Sequence, residues 1–455
     1  MAKSSGEHLD SWKEIATYIR RNERTAMRWA DHGMPVHRVP GSPRARVFAY
    51  TAEIDTWLAG TTLPLENGAE NHFADPQPPA DSLPARPWAR FVLVQACLVG
   101  AFLTVVAGWV GWAVWRGHGK VPASIEIRED RLIVSDHAHR MVWEKTYDFP
   151  LNPDAYKAGE TVPSGDFAIL DDIDADGNKE VLFVPFSPGH PELVSHRILS
   201  SFGEGGKLKW EYSRKEPVKF GATVFDPPFP IQFFRITSLP GEKTKDVWVA
   251  STHSRWFPCV VAKINSQGQV LGEYWHPGHV YLLAQANLLG RPVMLVGATN
   301  NETNSADLTV LDYLLPNGHA PAEVEDYECV NCPPGRPLAL LVFPRTEISK
   351  VLNSRPRVKE IYPLPDGGFE VAVDEGEVEI GESANAQYSF GSDLRLRDAQ
   401  VTDGYVANFN LLLARGAVKH ALDRKAEADQ LRHVRYWDGN GFQEKQEPVL
   451  ASAKK

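Results

Sequence analysis

Cysteine is scarce, with four in 455 residues, and this excludes a scaffold built on disulfides. Cys97 falls in an apolar run, and Cys259, Cys329 and Cys332 follow it. The pair Cys329-Val330-Asn331-Cys332 has no second pair with which to cage zinc, and Pro333 stands where c-type haem attachment requires histidine. A local Cys329–Cys332 disulfide is expected in an oxidising compartment, with a redox switch as the alternative. Also missing are a Gly-rich phosphate loop, a dinucleotide fingerprint and a nucleophile elbow. No reaction class is indicated, so the chain is read as something other than an enzyme.

Positive charge is in deficit overall, with a net charge of −10, but not uniformly. Residues 1–60 carry nine Lys and Arg against seven Asp and Glu, and seven arginines (20, 21, 24, 28, 38, 44, 46) fall between Arg20 and Arg46. Such a cluster can face phosphates. Long apolar runs are limited to one. Phe91 to Trp115 is uncharged, interrupted only by the polar Gln95 and Thr104, and long enough to cross a bilayer, which takes about twenty residues. Arg86 and Arg90 bracket one end and Arg116 and Lys120 the other, so residues 88–116 are predicted to form a single transmembrane helix. Gly100, Thr104 and Gly108 give it a small-residue face on which two copies could pair. Six prolines in 61–87 mark the preceding segment as a linker.

Before the linker, Ser11-Trp12-Lys13-Glu14 reads as a capping box, and Trp12, Ile15, Ala16 and Ile19 share one helical face. Asn22 can cap a second helix from Glu23 to about His32, ended by Gly33. Two strands, 34–39 and 46–50, then flank the turn 40–43, and Thr51 caps a closing helix, 52–58. The pieces WKEIA, RTAMRW, GMPVHR and EIDTWL, within residues 9–60, resemble the MerR/excisionase-like winged helix-turn-helix family. The resemblance implies DNA contacts from Arg21, Arg24, Thr25 and Arg28 in and before the second helix, and from Arg38, Arg44 and Arg46 in the wing.

Beyond Lys120 short alternating runs broken by turns predict a mainly β domain. The segments 141–147, 207–212 and 270–275 form a weak repeat; aligning Glu144, Glu211 and Glu273 gives spacings of 67 and 62 residues, the length of a four-stranded propeller blade. The strongest chemical motif is Asp172-Ile-Asp174-Ala-Asp176-Gly-Asn178-Lys-Glu180. Carboxylates at alternating positions converge when the chain turns at Gly177, and a hard cation wants such oxygens, so Asp172, Asp174, Asp176, Asn178 and Glu180 are expected to hold one structural calcium ion. A strand follows at once, unlike an EF-hand, and the arrangement resembles the FG-GAP/VCBS repeats of integrin-type β-propellers. In the next repeat the matching segment, 238–246, has lost most ligands. The pairs His137/His139 and His276/His279 are read as polar turn surface.

The expected architecture is therefore multidomain: an α-rich winged helix-turn-helix (1–60), a linker (61–87), one transmembrane helix (88–116), a propeller-like β domain (120–345), and its continuation with a helix near 408–433 (346–455). The layout is similar to ToxR-type transmembrane activators. It implies a homodimeric, single-pass regulator of the bacterial inner membrane, with double-stranded DNA bound in the cytoplasm and a calcium-braced sensor in the periplasm or outside the cell. The alternative is an adhesion or ligand-binding protein whose small head docks protein.

Overall fold

The computed structural model describes residues 8–19, 26–27, 30, 34–38, 47–59, 121–156, 166–187, 196–253, 257–378 and 383–444. The chain divides into two compact units, Met1–Val99 and Gly100–Lys455.

In the first unit, β1 (His8–Leu9), β2 (His37–Arg38) and β3 (Val47–Tyr50) form a sheet in the order β1-β3-β2. Helices α1 (Trp12–Tyr18) and α2 (Thr51–Ala59) pack on β3. Their shared core contains Leu9, Ile15, Ala16, Val47, Ala49 and Ile54. Ser11 caps α1 by accepting from the Glu14 amide at 3.2 Å, and the Glu14 carboxylate returns to the amide of Asp10 at 2.7 Å, one residue earlier than a standard capping box.

The second unit is a succession of antiparallel sheets, each built mainly from strands adjacent in sequence. The first contains β4 (Ser124–Arg128), β5 (Arg131–Ser135) and β6 (Met141–Thr146). The second contains β7 (Ala168–Asp171), β8 (Glu180–Phe183), β9 (Leu199–Phe202) and β10 (Leu208–Tyr212). A separate hairpin, β11 (Val218–Phe220) with β12 (Thr223–Phe225), follows.

The third sheet holds β13 (Ile231–Thr237), β14 (Asp246–Thr252), β15 (Cys259–Ile264) and β16 (Val270–His276). The fourth comprises β17 (Gly278–Leu288), β18 (Arg291–Asn300) and β19 (Ser305–Asp312); then β20 (Gly318–His319) pairs in parallel with β16, and β21 (Ala339–Val342) joins the fourth sheet beside β19. Helix α3 (Glu347–Val351) leads to the fifth, which has β22 (Arg357–Pro363), β23 (Phe369–Asp374), β24 (Asn385–Phe390) and β25 (Leu396–Val401). Four antiparallel strands in up-and-down order are the form of a propeller blade, and the pattern continues past residue 345. The repeat segments at 141, 207 and 270 supply β6, β10 and β16, the fourth-strand position of consecutive sheets except that the first has three.

Neighbouring sheets bury their faces against each other. Trp143 and Val134 of the first pack with Phe183 and Phe202 of the second. Leu182 and Leu199 of the second meet Val247, Val249 and Ala262 of the third, and Trp248 and Tyr274 of the third meet Val296 and Leu311 of the fourth. Leu295 and Leu308 of the fourth then pack with Val371 and Tyr388 of the fifth. Strands covered on both faces need continuous apolar runs, which is why Val293–Val296 shows no alternation. Helices α4 (Asp403–Ala414) and α5 (Arg424–Leu431) lie against β24 and β25, and Gly416, in the left-handed region at φ +70°, separates them. The helical region read at 408–433, with an interruption at Gly416, is two helices parted at that glycine, the first beginning earlier at Asp403. Finally β26 (Arg435–Trp437) and β27 (Phe442–Gln443) extend the fourth sheet beyond β21.

This architecture corrects the expected fold class. The described molecule is mainly β and propeller-like, not an α-rich head joined to a membrane helix. Its longest helix, Asp403–Ala414, has 12 residues, against the roughly twenty that span a bilayer. Among the described residues no helix is long and apolar enough to cross a membrane. The span read at 88–116 and the linker at 61–87 lie outside the described residues.

Candidate functional site

The acidic motif is the loop between β7 and β8. Ala175 and Gly177 adopt positive φ of +60° and +91°, which folds the loop back on itself. The carboxylates help to shape it: Asp172 Oδ2 accepts from the Gly177 amide at 3.1 Å, Asp174 Oδ1 from Asp176 at 3.2 Å, and Asp176 Oδ1 from Asn178 at 2.7 Å. Oxygens of Asp172, Asp174 and Asp176 thereby come within 4.8 Å of one another. Glu180 begins β8, is 1% exposed, and accepts from the Ile173 amide through Oε2 at 3.1 Å. Asn178 is exposed and meets the loop through its backbone amide.

Three like charges this close are eased by a neighbouring cation. Lys209, reaching across from β10, supplies one: its Nζ lies 2.7 Å from Asp174 Oδ2, 2.8 Å from Glu180 Oε1 and 3.9 Å from Asp176 Oδ2. Burial works against the charge of Lys209, but hydrogen bonds to Asp174 and Glu180 outweigh it and hold its pKa above the ordinary lysine value. Asp172 Oδ1 is buried and has no hydrogen-bond partner among the described residues. An ammonium therefore satisfies Asp174 and Glu180 and leaves Asp172 with an open acceptor. That donor set, several carboxylate oxygens around a turn with one oxygen still unmatched, fits a hard divalent cation. The sequence reading missed Lys209, whose only signal was its place in the repeat segment 207–212.

The counterpart loop in the third sheet, 238–245 between β13 and β14, has the same length as 172–179. It also turns through a left-handed glycine, Gly241 at φ +89°. It packs directly on the acidic loop, with the Lys245 amide donating to Ile173 O at 2.8 Å and Lys245 Nζ lying 2.6 Å from Asp171 Oδ2.

Other sequence candidates resolve into structural roles. Cys329 and Cys332 are joined in a disulfide with Cα atoms 5.8 Å apart, and Cys259 is a buried thiol whose pKa burial raises to about 11. His137 and His139 are exposed in the β5–β6 turn, which Asp136 organises by accepting from the Ala138 and Arg140 amides, both at 2.9 Å. His276, read as turn surface, is instead fully buried, its Nε2 2.8 Å from Asp307 Oδ2 in β19. His279 is buried as well, and burial lowers its pKa to about 4. A crevice of about 630 Å3 lies between β10 and β16 and is lined by two of the aligned glutamates, Glu211 and Glu273. Arg214 binds Glu273 there at 3.3 Å, and burial raises the Glu273 pKa against the pull of that guanidinium.

Of the residues read as DNA contacts, Arg38 is in β2, opposite Val47, while Arg21, Arg24, Thr25, Arg28, Arg44 and Arg46 lie outside the described residues.

No family model and no curated protein matches the chain. Among solved structures, the propeller of Dos1 aligns with a TM-score of 0.28 and 11% identity over 62% of this chain and 63% of that one. A GH43 β-1,3-galactosidase with galactodeoxynojirimycin aligns with a TM-score of 0.28 and 10% identity over 61% of this chain and 87% of that one. The chain thus spans under two thirds of the Dos1 structure, and scores this low carry no argument about activity.

These findings correct the functional expectations. No helix-turn-helix family matches, and no described helix can span a bilayer. The DNA partner, the membrane anchor with its homodimer, and the inner-membrane localisation therefore do not stand. The exclusion of enzymatic activity does not stand as a conclusion either, because the lack of familiar catalytic motifs in the sequence excludes no reaction.

Proposed function

We propose that the 121–444 region is a ligand-binding domain of stacked β sheets, braced by one structural calcium ion at Asp172, Asp174, Asp176 and Glu180. The observation that carries the calcium is the pair of loops: 238–245 makes a turn of the same length without the carboxylates. A loop of that length thus forms without three aspartates, and a cation accounts for what the amide bonds of the acidic loop leave over, the open Asp172 Oδ1 among converged carboxylates. Asp172, Asp174, Asp176 and Glu180 would hold the ion, whose divalent charge would offset theirs, in competition with the Lys209 ammonium for Asp174 and Glu180. Ligand binding is supported by the crevice between β10 and β16, whose walls carry partly buried charge.

The test is thermal unfolding of the full-length chain in millimolar calcium and in chelator. A cation that binds only the folded state adds about 2.7 kcal/mol at a hundredfold excess over its Kd, a rise of a few degrees for a protein of this size. Equal midpoints would remove the calcium.

A further inference from the structure

A second cavity, of about 590 Å3, opens beside the acidic loop between the β9–β10 hairpin and the β15–β16 turn. Trp210 forms part of its wall and is fixed in two ways. Its Nε1 donates to Ser266 O at 2.9 Å, and Gly268 presses against the ring so closely that a Cβ there would lie 2.5 Å from the indole Cγ. Gly268 has φ +83°, so the approach depends on glycine. Around the indole stand Asp174, Glu204, Lys207, Lys209 and Gln267.

We infer that this cavity binds a neutral saccharide, a proposal resting on the reading of the domain as a ligand binder. Two carboxylates and two ammoniums leave the rim without net charge, which disfavours a purely anionic or cationic ligand. A pyranose presents a weakly apolar C–H face that can lie on a preset indole, and hydroxyls at its edge that both donate and accept. Mixed acid, amine and amide groups around one aromatic ring match that pattern, and the volume is in the range of small-ligand sites. A peptide would instead exploit the free edge of β10 by backbone pairing, for which the indole is not required.

The experiment is saturation-transfer NMR on the full-length chain with maltose, cellobiose and lactose, with galacturonate as a charged control. The expected result is transfer to ring protons of at least one neutral disaccharide, with affinity reduced about tenfold or more in Trp210→Ala. Gln267 is exposed, so Gln267→Ala tests the rim in a variant whose fold is undisturbed, and a severalfold loss is expected. No transfer to any of the three sugars, transfer to galacturonate alone, or affinities unchanged in both variants would overturn the proposal. The calcium-dependent melting shift, measured on the same samples, separates this failure from failure of the calcium reading.

Discussion

The loops 172–179 and 238–245 join the first two strands of neighbouring sheets, are equal in length, and turn through glycines at φ +91° and +89°. One gathers Asp172, Asp174 and Asp176; the other holds Glu242, Lys243 and Lys245. Backbone geometry and ligand chemistry are thus separable in this molecule. A left-handed glycine takes part in the turn of both, whereas only the acidic loop gathers three carboxylates whose mutual repulsion a cation would offset. The acid-poor loop contributes contacts instead, bonding Ile173 O and Asp171 through Lys245.

The largest effect that would break this comparison is at Glu180. With the acid 1% exposed and bonded to both Lys209 and the Ile173 amide, Glu180→Ala should cost about 3 kcal/mol in urea unfolding, because it leaves a buried amide without its acceptor and takes from the Lys209 ammonium one of its two close carboxylates. A loss below about 1 kcal/mol would mean that the loop is not integral to the second sheet.

A buried acid without a cation sharpens the contrast. Glu375, just after β23, accepts from the Thr346 hydroxyl at 2.9 Å, while its Oε1 has no partner among the described residues. Burial raises its pKa to about 7 from an ordinary 4.5. The folded state then holds a proton that the unfolded state has released, so stability falls as pH rises from about 4.5 to 7 and levels off above that. The fall is on the order of 2–3 kcal/mol. In Glu375→Gln this component should vanish, as denaturation at pH 5 and pH 7.5 would reveal; an unaltered pH slope would assign it to other groups.

The smallest effect belongs to the counterpart loop. Lys245 and Asp171 form a partly exposed pair, so Lys245→Met should shift stability by less than about 1 kcal/mol and leave calcium dependence intact. Abolished calcium dependence in this variant would show that the two loops act as one site.

Much of the second unit was legible in its sequence because edge strands alternate and turns carry glycine. Ser124–Arg128 was recognisable by its alternation, Phe369–Asp374 by the Gly-rich turn before it although it lies inside its sheet, Leu208–Tyr212 as a repeat segment, and the acidic loop by its Asp spacing. Two long inner strands were not: Arg291–Asn300 and Ser305–Asp312 are covered on both faces, which erases the period of two. Lys209 was invisible because the contact that matters joins residues 29 and 35 apart in sequence, across the sheet. His276 was misread as surface because its partner, Asp307, is 31 residues away. At the other end of the chain, the helix after Ser11, the strand Val47–Tyr50 and the helix Thr51–Ala59 fall within a residue or two of where capping and turn signals put them, and the strand His37–Arg38 falls inside the run read for it, while the strand His8–Leu9, too short to show a period, went unread.

The central claim is that one loop of the pair binds calcium, and equilibrium dialysis of the full-length chain against radioactive calcium tests it most directly. One ion per chain is expected, lost when Asp172, Asp174 and Asp176 are changed together to Asn and retained in Lys245→Met. No bound ion, or an ion retained in the triple variant, would contradict the account.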